Sequence, residues 1–339
     1  MTESKQPSLN AGALLGIHAQ TSLHPGTGTA LGTVDLPVQR ERHTHWPCVA
    51  GSALKGVLRD AYRNKVAHSA DLANLDRWDD KEGSDRIERS GKPRQQADNT
   101  LDVAELFGPP TAGSSEFAGA LSVTDARLLA YPVRSLRGVF AWVTCPAVLE
   151  RLQRDVALAK LTLPPLGSLD IPSDQAMVPD GCPCLMGKEH FLVLEEFEFK
   201  KSSKFLDAGL LQWLAENLLP ASEVYKRTRE RFQKQLVVLS NDDFTHFVRF
   251  ATEVAARVGL DYETKTVKDG ALFYQEFLPA ESLFYSVVLA SPSRSRRNGD
   301  PATLLKRLQE HLPEVLQIGG DETTGKGFCG IHFSTGGNA

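Results

Sequence analysis

Asp35 opens the run DLPVQRERHTHWPCVAGSALKG, in which Arg40, Arg42, His43 and Lys55 follow closely along the chain. A carboxylate beside a phosphate-binding face is opposed by repulsion unless it holds a divalent cation or accepts a proton, and either role serves cleavage of a phosphodiester. Pro37 fixes its own φ and biases Leu36 toward an extended backbone, which stiffens the loop carrying Asp35. Against this stands the common use of a loop aspartate as a turn or cap former. Histidine titrates near neutrality as a residue type, so His24, just before Pro25, is a second candidate, for proton movement. His43 and His45 form an H-x-H without companions for a metal set.

Near the other end of the chain, Gly320-Asp-Glu-Thr-Thr-Gly325-Lys326 matches the opening of a P-loop. The next place is Gly327, not the Ser or Thr that holds magnesium, and residues 328–339 leave no room for a nucleotide-binding domain behind it. Nucleotide hydrolysis is not expected. Glycines that bring backbone N–H groups close can still embrace the phosphates of a polymer. A tight hairpin turn without a ligand is the alternative.

These segments need elements to position them. From Gly51 to Ala67 the apolar positions Leu54, Val57, Leu58, Ala61 and Tyr62 recur at helical spacing, with Ser52 placed as the cap. Lys55, Arg59 and Arg63 then share one stripe, and Lys55 falls in the first turn, where the helix dipole disfavours a cation unless an anion is bound. A solvated basic face is the plainer reading of that stripe. Ala13–Leu23 and FLVLEEFEFK each read as one strand, and Asp207–Asn217 and Asp242–Val258 as helices. DYETKTVKDGALFYQEF reads as two strands joined near Lys268-Asp269-Gly270, because Asp-Gly between β-formers is a hairpin signal. Asp71–Thr100 is charge-dense and apolar-poor, the composition of a mobile insertion, and Leu161–Gly187 is rich in turn formers. Strands and helices alternate without the rhythm of a doubly wound sheet, so the expected class is α+β, of ferredoxin-like type with long insertions.

The bulk values bound the function. A chain of 339 residues with 41% hydrophobic and 24% charged residues can bury an ordinary core. Its net charge of −4 excludes a generally basic nucleic-acid binder, so any such face is local. Five cysteines, with Cys182 and Cys184 forming only a C-x-C, read as free thiols of a reducing cytoplasm. No signal-type or membrane-spanning stretch is evident, and no membrane partner is expected.

The strings HPGTGTALGTVDLPVQRERHTHWP and GSALKGVLRD resemble the RAMP superfamily, and within it the backbone nuclease subunit of type III-B CRISPR (Cmr) effector complexes. The likeness continues through FGPP, GALSVTDARLLAYPVRSLRGVFAWVTCP, VLEEFEF, DYETKTVKDGALFYQEFLP and LQIGGDETTGKGF, over nearly the whole chain. It implies one RAMP domain over 1–339, with a modified ferredoxin-like or RRM-like palm, a finger-type insertion at 71–117, an irregular insertion at 161–187 and a β-hairpin thumb at 259–279. It also implies the partners: a CRISPR RNA on which several copies stack, target single-stranded RNA, and other Cmr subunits. The implied activity is an endoribonuclease that cuts target RNA at regular intervals by attack of its 2′-hydroxyl, with Mg²⁺ or Mn²⁺ as cofactor. By resemblance, Asp35 matches the catalytic aspartate and metal ligand. Ser52 and Lys55 match the helix start that grips the guide, and Gly319, Gly320, Thr324, Gly325 and Lys326 match the glycine-rich loop. Arg40, Arg42 and Arg59 join them as RNA-binding candidates. Where relatives can carry tyrosine, two glutamates and tyrosine before the thumb's closing proline, this chain has Tyr274, Gln275, Glu276 and Phe277, so Asp35 is the main catalytic candidate. A catalytically silent RNA-binding filament subunit shares every gripping motif and differs at Asp35.

Overall fold

The computed structural model describes residues 10–29, 32–79, 92–110, 114–188 and 190–336. β1 (Ala11–Ala19) leads through a long loop to β2 (Cys48–Val49) and α1 (Gly51–Ala67). The insertion contributes α2 (Pro93–Asp98) and α3 (Leu101–Phe107), followed by β3 (Leu121–Val123), β4 (Ala126–Arg134), β5 (Phe140–Thr144) and α4 (Pro146–Leu158). After an irregular stretch come β6 (Gln175–Ala176), β7 (Phe191–Leu194), β8 (Phe197–Lys201), α5 (Ala208–Leu218), α6 (Lys226–Gln235), β9 (Leu236–Val238) and α7 (Asn241–Phe250). The remaining elements are β10 (Glu253–Leu260), β11 (Val267–Phe277), β12 (Leu283–Ala290), α8 (Pro301–His311), β13 (Val315–Gln317) and β14 (Phe328–Thr335).

The main sheet runs β13-β14-β1-β12-β4-β5-β9, with β2 on β4 and β3 on β12, and every pairing but β5–β9 is antiparallel. This is the α+β class expected. β1 lies between β12 and β14 and is buried on both faces from Ala13 to Ala19, which accounts for its weak apolar/polar alternation. Gly16 is needed there because any side chain would run into the Leu218 carbonyl at the end of α5.

Three local expectations are corrected. The helix expected over Asp242–Val258 stops at Phe250, and β10 follows at once. Its Ala255, Ala256 and Arg257 are good helix formers, but pairing with β11 overrides that propensity. The hairpin turn is at Asp261–Thr266, where the Asp261 carboxylate accepts from the N–H groups of Glu263 at 3.0 Å and Thr264 at 2.9 Å. Gly270 uses its φ of +73° inside β11, where the register slips between the pairs Val258↔Leu272 and Leu260↔Val267, so Asp-Gly marks an irregularity and not the turn. FLVLEEFEFK, read as one strand, is the β7–β8 hairpin, with Glu195 at a φ of 49° in its turn.

The helix that follows the charge-dense stretch is anchored in the core, while 80–91 lie outside the described residues. Val103, Ala104, Leu106 and Phe107 of α3 are buried. Glu105 accepts from Arg307 at 2.8 Å and Ser295 at 3.1 Å, and Arg297 reaches Asp102 and Asp76. Burial pushes the Glu105 carboxyl up, but the hydrogen bonds from Arg307 and the neighbouring serines outweigh it and hold the group below its ordinary 4.5. A depressed carboxyl contributes stability that is complete above its unfolded value and is lost as pH falls through the folded one. Glu105→Gln is therefore expected to flatten the loss of stability below about pH 4.5, read as urea midpoints from about pH 6 to pH 3.

Candidate functional site

Four consecutive residues at the end of β11 knit the site together. The segment after Asp35 runs parallel to them: the Leu36 N–H donates to the Tyr274 carbonyl at 3.0 Å, and the Glu276 N–H donates to the Leu36 carbonyl at 3.0 Å. This is the extended conformation that Pro37 imposes on Leu36. It sets Asp35 beside Tyr274, whose N–H donates to Asp35 Oδ2 at 2.7 Å. Oδ1 has no protein partner among the described residues, and the side chain is half-buried.

Gln275 turns to the opposite side, accepting from Arg257 at 3.1 Å and donating to Asp321 at 2.6 Å. Arg257 also pairs with Asp321 at 2.9 Å, so the glycine-rich loop is tied to both hairpin strands. Glu276 binds the Arg40 guanidinium at 2.6 Å through Oε1 and the Val38 N–H at 2.9 Å through Oε2. Phe277 lies beneath Lys326, with the ammonium 5.0 Å from the ring centroid, and against the His24 ring at 5.5 Å.

His24 is buried, with Nδ1 2.7 Å from the Glu276 carbonyl. A carbonyl only accepts, so Nδ1 carries a proton and donates it there, which leaves Nε2 as the ring nitrogen not engaged by that bond. A Cβ at position 26 would stand 2.7 Å from Nε2, so the glycine there leaves the space beside that nitrogen open. The glycine-rich loop joins β13 to β14. Gly319, with a φ of +83°, packs on the His24 carbonyl, and the Gly320 N–H donates to that carbonyl at 3.0 Å. Gly320, Thr324 and Gly325 are exposed, and Thr324 donates to the Asp321 carbonyl at 2.9 Å.

The structure thus gathers Asp35, His24, Arg40, Lys326 and the glycine-rich loop around one strand end. The α1 candidates stand apart. Ala50, not Ser52, occupies the cap position, and Asp125 accepts from the Gly51 N–H at 2.7 Å. A carboxylate distant in sequence therefore replaces the expected cap, Ser52 lies exposed in the first turn, and Lys55 moves into the second. The dipole argument for Lys55 weakens accordingly, because that field fades within the first turn. Lys55 Nζ donates to the Leu121 carbonyl at 2.8 Å, and burial, then Arg59, lowers its pKa. Arg59 pairs with Asp98 of α2 at 3.0 Å, while Arg40 also donates to the carbonyls of His45 and Val248 at 2.8 Å each. Arg42 is exposed, and no hydrogen bond or ion pair engages it among the described residues. A groove of about 810 Å³ between α1 and β13, lined by Ala53, Gly56, Gln317 and Glu322 among others, links the helix start to the glycine-rich loop.

Among the described residues no three His, Cys, Asp or Glu side chains converge on a metal-sized point. The single free oxygen of Asp35 suits an ion that keeps most of its water and leans on substrate phosphates, as Mg²⁺ does, and not an all-protein cage. All five cysteines are buried and free. No helix among the described residues is long and apolar enough to cross a membrane.

An α+β sheet whose terminal hairpin carries a glycine-rich loop against the first loop of the chain is the architecture of a known class, and the chain belongs to it: the RAMP superfamily, whose model matches residues 17–330, in its Cmr4 branch. It is 35% identical over 323 residues to the CRISPR system Cmr endoribonuclease Cmr4 of Pyrococcus furiosus, covering 94% of each chain. It is 23% identical over 338 residues to the CRISPR system CMR subunit Cmr4 of Saccharolobus solfataricus, again covering 94% of each. The crystal structure of oligomeric Cmr4 from Pyrococcus furiosus matches with a TM-score of 0.64 and 28% identity, over 98% of this chain and 100% of that one. A chain of the type III-B Cmr-beta complex bound to cognate target RNA matches in fold, with a TM-score of 0.64 at 18% identity, over 96% of this chain and 98% of its own.

Proposed function

We propose that this chain is a CRISPR RNA-binding backbone subunit of a type III-B effector complex and an endoribonuclease that cuts guide-complementary target RNA at regular intervals. The observation that carries this reading is the Asp35 carboxylate, fixed through one oxygen at the root of the β10–β11 hairpin and free at the other, where the first loop meets the glycine-rich loop. The similarity to a protein named an endoribonuclease, and in fold to a complex bound to target RNA, supports it.

In the proposed reaction the target's own 2′-hydroxyl attacks the adjacent phosphorus. The bond to the 5′-oxygen breaks, leaving a 2′,3′-cyclic phosphate and a 5′-hydroxyl. DNA lacks the nucleophile, which accounts for selection of RNA. Asp35 takes the proton of the 2′-hydroxyl, or holds Mg²⁺ or Mn²⁺. A divalent ion held there would supply neutralisation of charge on the phosphate. His24, when protonated on both nitrogens, returns a proton to the departing 5′-oxygen from Nε2. The hairpin acts as the thumb that interrupts the guide–target duplex on a ferredoxin-like palm, and positioning of the interrupted nucleotide lowers the barrier. Base pairing with the guide, and not the protein, reads sequence. Several copies stack on one guide with other Cmr subunits, so each copy needs only a local cationic face.

Lys326, the glycine-rich loop, Arg42, Ser52 and Lys55 hold phosphates, while Arg40 and Arg59 act through the carboxylates they neutralise. Lys326→Ala is expected to weaken guide binding across all sequences and to lower the slope of log affinity against log salt by about 1, measured by filter binding over a salt series. The proposal as a whole is tested with the assembled complex, its guide, and end-labelled complementary RNA in Mg²⁺. Regularly spaced products support the nuclease. RNA that binds but stays whole supports the catalytically silent filament subunit, a reading favoured by Gln275 and Phe277 standing where relatives can carry acidic and phenolic groups.

A further inference from the structure

We infer that a cleft beside the Asp35 loop receives one unpaired nucleobase of the target strand, stacked on Phe250; this rests on the nuclease reading above. The cleft has a volume of about 490 Å³, with Thr33, Val34 and Pro37 on one wall and Arg249, Phe250 and Val254 on the other. Phe250 ends α7 and is 67% exposed, although it is a large aromatic residue. One side of its surroundings is the His246 ring at 5.0 Å, and the Arg249 guanidinium lies 5.3 Å from its centroid. Neither contact covers the ring.

Three features select a base over other occupants. Glu276 also borders the cleft, but its two oxygens are engaged by Arg40 and the Val38 N–H, so the cleft presents Arg249 as its one uncompensated charge. A phosphate is disfavoured, because α7 presents its C-terminal end here, where the dipole is partially negative. An aromatic face flanked by a guanidinium is the surface on which unpaired bases stack, largely without regard to sequence. Position supplies the link to chemistry. Val34 in the wall immediately precedes Asp35, so the cleft opens one residue along the chain from the carboxylate. Phe250 is on this view a positioning residue: it holds the nucleotide out of the duplex in a geometry from which in-line attack can start.

The test uses the assembled complex with its guide and compares wild type, Phe250→Ala and Phe250→Trp on an intact target and on a target with an abasic site at the nucleotide before the cut. Phe250→Ala is expected to slow cleavage of the intact target by about 5- to 100-fold. The abasic target is expected to slow the wild type to a similar degree, with no further loss in Phe250→Ala, and Phe250→Trp is expected to restore the rate. In complexes carrying Asp35→Asn, which keeps the RNA whole, an adenine at that position is expected to be protected from dimethyl sulfate and to become reactive when Phe250 is also replaced by Ala. Unchanged rates together with unchanged reactivity overturn the inference. So does protection of a guide base in place of the target base. If the wild type cuts nothing, the nuclease reading fails, while the dimethyl sulfate pattern still judges the cleft.

Discussion

Asp35→Asn is expected to reduce target cleavage by about 10²- to 10⁴-fold, the range that a positioned general base or its equivalent supplies, with assembly and RNA binding retained. The substitution isolates charge from structure. An asparagine carbonyl can still accept the Tyr274 N–H that Asp35 accepts at 2.7 Å, so the loop keeps its link to β11. What disappears is the negative charge on the free oxygen, and with it both the capacity to take a proton and the attraction for a divalent ion. Single-turnover cleavage of end-labelled target gives the rate, and a gel-shift series gives binding. A variant that cuts at the wild-type rate would remove Asp35 from the chemistry. One that no longer binds RNA would make it a gripping residue instead.

The second large effect falls on stability. Glu276→Ala removes the acceptor of the Val38 N–H and the partner of Arg40, whose side chain is only 18% exposed. Breaking a buried ion pair from one side leaves a charge without compensation and costs about 3–5 kcal/mol. The partial exposure of Arg40 and its bonds to the carbonyls of His45 and Val248 soften that to about 2–4 kcal/mol. The measurement is urea unfolding, with a lower midpoint at unchanged slope. Glu276→Gln keeps an acceptor and should lose less, whereas Arg40→Ala combined with Glu276→Ala should cost less than the two single losses added together. Strict additivity would show that the pair does not couple the loop to the hairpin. Cleavage should fall with stability in Glu276→Ala, because the same bonds align the Asp35 segment with β11.

The candidate site was legible wherever local chemistry determines the outcome. Pro37 does extend Leu36, on the loop that carries Asp35. Helix and strand types were readable in most places for the same reason, since burial periodicity is local. The β10 segment was misread because its alanines and arginine favour a helix until β11 is available to pair with them. Ser52 was misassigned as a cap because Asp125, far along the chain, supplies the acceptor. The Tyr274–Phe277 string was visible as a departure from relatives, yet nothing local revealed that each of its residues holds a different part of the site.

Residue types, turn chemistry and the membership of the chain in its superfamily are thus contained in the order of amino acids, because steric limits and short-range hydrogen bonds act between near neighbours. The fate of the charges was decided only by folding. Arg40 meets Glu276, Arg59 meets Asp98 and Arg257 meets Asp321 across long separations in sequence. Ion pairs and hydrogen bonds depend on approach to within a few ångströms, and for side chains so distant along the chain that approach exists only in the tertiary structure.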